Sequence, residues 1–113
     1  MIESDLIPRI ATGFCSGMAR TTGVCGAVSG GMMAINLQSG RSSPEQSLDE
    51  NYAQIQEFLE AFKDKFGAIN CLELTGCDLG TDEGQKSFLE NNCIARCNQF
   101  VEEATRLAID LGK

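Results

Sequence analysis

An all-α fold, a compact bundle of four or five helices, is what this sequence predicts, on three observations. Between residues 45 and 66, apolar side chains recur at alternating steps of four and three, the period of one helix face. Proline is scarce, with two in 113 residues. No run of alternating apolar and polar residues between turn signals marks a strand. The length suits a single domain with one core, so residues 1–113 are taken as one helical, cysteine-rich unit.

The long helix is the clearest element. Leu48, Tyr52, Ile55, Leu59, Phe62 and Phe66 form its apolar stripe. Ser43 is placed as N-cap, Pro44 as the first helical residue and Gln46 as the closing member of a capping box. Gly67 supplies a left-handed stop. A second amphipathic helix runs from Cys93 to Leu111, with Phe100, Val101, Ala104, Leu107, Ala108 and Leu111 on its buried face and Gly112 at its end. A third spans Val24 to Gln38, with Val24, Ala27, Val28, Gly31 and Ile35 on one side. Its glycines cost about 1 kcal/mol each against alanine, so they imply close approach of a neighbouring backbone or a cofactor. A shorter helix is expected over Ile7 to Met18. Thr81, Asp82 and Glu83 start a last one that ends near Asn91 and Asn92.

Charge and composition exclude several functions. The net charge is −7. Residues 1–44 carry three arginines against two acids, and the acidic excess lies in residues 45–113. An acidic surface repels phosphate backbones, so no nucleic acid is expected as partner. No apolar run reaches the ~18 residues of a membrane span, and MIESDLIPRI lacks the pattern of a signal peptide. A cytoplasmic location without membrane contact is the expectation. There is no histidine, which removes Ser-His-Asp triads, Cys-His pairs and His-ligated metals. Glu57, Glu60 and Asp64 read as a solvated row, and Met18, Met32 and Met33 as packing residues.

The chemistry therefore rests on six cysteines: Cys15, Cys25, Cys71, Cys77, Cys93 and Cys97. Three readings of them stand. They are buried or disulfide-bonded structural residues. They ligate zinc or an iron–sulfur cluster, each of which takes about four donors. Or they form a thiol–disulfide couple, which needs an activated thiolate near a second thiol. Cys25, at the expected helix start before Gly26, has exposed N–H groups at hand that suit either a ligand or a nucleophile. Cys93 and Cys97 project from one helix face.

The segment Ile10 to Met18, and above all Cys25-Gly26-Ala27-Val28-Ser29-Gly30, resembles the C-GCAxxG-C-C family, cysteine-rich proteins to which a redox role is ascribed. Gly31 to Arg41 resembles the family's continuation. Cys71-Leu-Glu-Leu-Thr-Gly76 with Asp78 resembles its C-x-x-L-x-G-x-D segment, and Cys97-Asn-Gln-Phe-Val101 its last cysteine. The resemblance implies a prosthetic group, an iron–sulfur cluster ahead of zinc. Cys25, Cys71 and Cys97 match three hallmark cysteines, and Gly26 and Gly30 match the glycines of the hexapeptide. The first hallmark cysteine lies upstream of where this sequence begins, as in a shortened member. The fourth donor is then Cys15, Cys77, Cys93 or a thiol of a partner chain. A redox partner protein and a homodimer complete the expectation. The rival classes are a cofactor-free oxidoreductase cycling Cys25–Cys71 or Cys25–Cys97, and a structural protein.

Overall fold

The computed structural model describes residues 4–111. Among them the elements are α1 (Leu6–Ala11), a 3-10 turn (Thr12–Phe14), α2 (Cys15–Arg20), α3 (Gly26–Ser39), α4 (Asp49–Phe66), α5 (Cys71–Thr75), α6 (Asp82–Glu90) and α7 (Ile94–Leu111). The one β feature is an isolated antiparallel bridge between Val24 and Asn70. The all-α expectation holds. No helix of the described residues is long and apolar enough to cross a membrane.

Three long helices make the core. α3 packs on α7 and α4, and α4 packs on α7. Val28 and Ile35 of α3 meet Phe58 and Phe62 of α4 and Phe100, Ala104 and Ala108 of α7. Aromatic edges lock the α4–α7 seam: Phe66 and Phe100 are T-shaped at 4.9 Å, and Phe62 lies 6.1 Å from Phe100. Such pairs add about 0.5–1.5 kcal/mol beyond their buried area. Beside them Glu103 of α7, buried, accepts from Lys65 Nζ at 3.0 Å and from the Arg106 guanidinium. Those hydrogen bonds, Arg106 first, hold its carboxyl below the usual range in spite of burial.

Several details depart from the sequence reading. The long helix begins at Asp49, not near Ser43. Gln46 turns back on Ser42, accepting its N–H at 2.7 Å, and Ser47 Oγ accepts the Asp49 N–H instead. The capping residues thus close a tight turn one step ahead of the helix. Tyr52 is 54 % exposed, while Phe58 is fully buried. The buried face of α4 is centred on Asn51, Phe58 and Phe62, because α4 is wedged between α3 and α7 and Phe58 fills the space under Gly31. Buried Asn51 donates to Asn36 Oδ1 at 2.9 Å and Ser39 Oγ at 3.2 Å, which satisfies its amide across the α3–α4 seam. Val101 is exposed. Gly67 does stop α4, with φ 86° and its N–H on Lys63 O. Thr81 does cap α6, its Oγ accepting the Gly84 N–H. The predicted stop at Gly112 lies outside the described residues.

The expected helix over Ile7–Met18 breaks in two. After α1 the chain tightens into the 3-10 turn, extends at Cys15 (ψ 155°) and then winds left-handed. Ser16, Gly17, Met18, Ala19 and Arg20 all have φ between 57 and 67°. Left-handed backbone costs an L-residue about 1–2 kcal/mol, so something must hold α2 in place. Gly17 is the contact point. A Cβ there would lie 2.6 Å from Cys71 Cβ, so only glycine lets α2 press onto α5.

Candidate functional site

The isolated bridge sets the register of the site. The Cys25 N–H donates to Ile69 O at 2.8 Å, and the Cys71 N–H donates to Gly23 O at 2.9 Å. Two backbone bonds therefore fix the N-terminus of α3 beside the start of α5, each carrying a cysteine one residue past the bridge. Asn70 caps α5, its Oδ1 accepting the Glu73 N–H at 2.8 Å, and Gly76 ends it with φ 73°. Glycine also brings in the third segment. A Cβ on Gly26 would stand 3.2 Å from Phe14 O and 3.3 Å from Cys15 Cα. The backbone before α2 thus rides directly on the start of α3. Finally α7, packed along α3, carries Cys97.

The outcome is one open cavity of about 980 Å³. Cys15, Cys25, Cys71 and Cys97 all line it. The floor along α3 is built of Gly26, Ala27, Gly30, Gly31 and Ala34. Gly30 faces the open space with nothing within 4 Å of where a Cβ would stand, whereas a Cβ on Gly31 would come within 2.4 Å of Phe58 Cζ. The sequence reading expected close approach along this glycine run; at Gly31 the neighbour is a core ring, and at Gly26 it is backbone. Arg20, on α2, is the one charged residue lining the cavity among the described residues. The far rim is apolar and exposed, with Leu37, Leu89, Ile94, Val101 and Ile109.

Burial governs the thiols. It pushes the Cys97 thiol up to about 11, with Cys25, Cys71 and Cys93 adding to the shift and Arg96 opposing it. It also raises Cys71, against the Thr75 hydroxyl, with Cys25 and Cys77 adding to it. At Cys71 and Cys97, loss of hydration disfavours the thiolate and the neighbouring thiols add to it. The Arg96 guanidinium lies 5.7 Å from the Phe100 ring centroid, one residue from Cys97.

Cys77 and Cys93 are placed elsewhere. They are buried in a small cluster behind the cavity wall, with the wall residues Cys71, Leu79 and Phe88, and do not themselves line the cavity. All six cysteines are free thiols. No group of three or more candidate ligands is close enough, as it stands, to hold a metal ion among the described residues. The structure thus brings Cys25, Cys71 and Cys97 to one cavity, adds Cys15, and sets Cys77 and Cys93 apart. What the sequence did not yield was the part played by α2, since nothing in the residue types of 16–20 announces a left-handed turn. The glycine at 17 was the available signal.

Over residues 1–111 the chain matches the model of a family described as "Putative redox-active protein (C_GCAxxG_C_C)". The chain belongs to this family. The stretch Cys25 to Gly30, which resembles the family's hexapeptide, forms the cap and first turn of α3 on the floor of the cavity. Neither a curated protein nor a solved structure gave a significant match.

Proposed function

We propose that this C-GCAxxG-C-C protein is an electron-transfer module whose cavity thiols hold a metal centre, an iron–sulfur cluster ahead of zinc. The observation that carries the reading is the arrival of Cys15, Cys25, Cys71 and Cys97, from four separate elements, on one cavity. Thiolate is the donor that iron–sulfur clusters take, about four to a cluster, so the donor set fits in kind and number. The fourth donor left open by the sequence is then Cys15. Since the thiols do not yet converge, loading would draw them together, as in metal sites that assemble on binding. When bound, such a group supplies one-electron chemistry at a potential tuned by its surroundings.

The chain's own residues do the rest. Thiols raised by burial are poor free nucleophiles, so Cys71 and Cys97 suit a ligand role, in which the metal supplies the missing counter-charge, better than a freely cycling couple. Arg20 at the wall and Arg96 beside Cys97 lie where an anionic, thiolate-bound centre needs cations. The exposed aliphatic rim gives a second copy, the homodimer partner we propose, a surface to cover.

Anaerobic purification with visible absorption, iron, sulfide and zinc determination tests the proposal. Coloured protein with iron and sulfide, lost in Cys25→Ser, Cys71→Ser and Cys97→Ser and reduced in Cys15→Ser, is the expected result. Colourless, metal-free protein with six free thiols overturns it. Light scattering tests the dimer: replacing Leu89 and Ile94 with glutamate should give monomer.

A further inference from the structure

Two thiols stand outside the cavity and outside the family's motif. Cys77 follows Gly76, the left-handed residue that ends α5, and Cys93 precedes α7. Their Sγ atoms are 4.0 Å apart. Exposure is 5 % for Cys77 and 7 % for Cys93. Around them the packing is apolar, with Leu79 and Phe88 alongside, and the Ser87 hydroxyl is 3.8 Å from Cys77 Sγ. The backbones on both sides are pinned. The Cys77 N–H donates to Thr75 Oγ at 3.1 Å. The Cys93 N–H donates to Phe88 O at 3.0 Å.

We infer that Cys77 and Cys93 form a second redox site, a dithiol–disulfide couple separate from the cavity thiols. A disulfide needs its sulfurs about 2.05 Å apart, so from 4.0 Å the pair must close by about 2 Å. The oxidant is a low-molecular-weight disulfide. Burial disfavours the thiolate at Cys93 as it does at Cys71 and Cys97, so the exchange runs while the segment is open: one cysteine, exposed there as thiolate, attacks a sulfur of the oxidant, breaking its S–S bond and releasing the first small thiol. The other then displaces the second small thiol from the mixed disulfide. One S–S bond forms in the protein and one breaks in the oxidant. The two protein thiol protons end on the two small thiols, and two electrons pass from protein to oxidant.

The couple would tie together two segments that each carry a cavity thiol. Cys71 opens the α5 segment that Cys77 closes, and Cys93 O accepts the Cys97 N–H at 3.0 Å. Oxidation would therefore fasten the Cys71 and Cys97 supports to one another.

Glutathione redox buffers of graded composition test this, with acid quench, alkylation, thiol counting and peptide mapping. The protein is used both as purified and after refolding from its reduced, unfolded form in the same buffers, which removes access to the buried pair as a variable. The expected result is a Cys77–Cys93 linked peptide, reversed by dithiothreitol, with a loss of two free thiols. Cys77→Ser and Cys93→Ser should each abolish that loss, and Cys25→Ser should leave it intact. A pair that stays reduced in both preparations, or that links instead to Cys71 or Cys97, overturns the inference. Metal content is read separately, so failure here leaves the cavity proposal standing.

Discussion

The two sides of α3 differ more than its sequence suggests. Gly30 and Gly31 are adjacent, yet one faces open space and the other sits on a buried ring. On the packed side, Val28 and Ile35 are buried against α4 and α7, and a side chain on Gly31, whose backbone still edges the cavity, would meet the core. On the open side, Gly26, Gly30 and Ala34 floor a cavity ringed by thiols. Glycine is doing two jobs one residue apart: it makes room for protein in one direction and leaves room for something else in the other. A motif of small residues therefore has to be resolved position by position before any of it is assigned to a ligand.

Substitutions break or sharpen that contrast. The largest effect should come from the ring itself. Phe58→Ala should cost about 3–5 kcal/mol of stability, read by chemical denaturation. On the open side the large effect is chemical. With its pKa pushed up from 9.0 to about 11, Cys97 holds about one hundredth of the thiolate of an ordinary thiol at neutral pH. In metal-free protein its alkylation should lag accordingly, and should climb about tenfold per pH step through neutral and mildly alkaline solution. Rapid, pH-insensitive labelling would contradict the burial. Gly31→Ala comes next, at about 1–3 kcal/mol from overpacking against Phe58. Glu103→Gln should cost about 1–2 kcal/mol by weakening charge-assisted bonds to half-exposed partners. Because the folded Glu103 carboxyl titrates below its unfolded value, that contribution is full above the unfolded pKa, near 4.5. It is lost as pH falls through the lower folded value, so wild type and variant should converge in acid. The smallest effect is at Gly30. Gly30→Ala meets no atom within 4 Å and should stabilise by up to about 1 kcal/mol through helix propensity. Its consequence should instead be seen in metal loading, if the floor serves the bound group.

Much of this was legible in the residues, and the failures share a cause. Periodicity and caps found α4, α6 and α7, because those signals are local: Gly67 and Thr81 act on their own neighbours. Composition pointed to the six cysteines, and the family resemblance singled out Cys25, Cys71 and Cys97 among them. Tertiary wedging was invisible, so Tyr52 stood in for Phe58 on α4. The burial of Asn51 and Glu103 lay beyond local patterns as well, because the partners that hold them, Asn36, Ser39 and Lys65, are distant in sequence. The choice of Cys15 over Cys77 and Cys93 at the cavity was closed to sequence reasoning for the same reason. It depends on α2 folding onto Cys71, which no pattern of residue types encodes.

That left-handed turn also bears on the order in which the molecule assembles. Ser16, Met18, Ala19 and Arg20 each favour right-handed or extended backbone while the chain is unfolded. α2 therefore cannot nucleate. It can form only once the face it rests on, the start of α3 and the Cys71 turn, already exists. Hydrogen exchange should find this wing opening at a lower free energy than α3, α4 and α7. Cys15 would then be the last thiol to reach the cavity as the chain folds and the first to leave it, a hinged fourth wall on a site whose other three are built into the core.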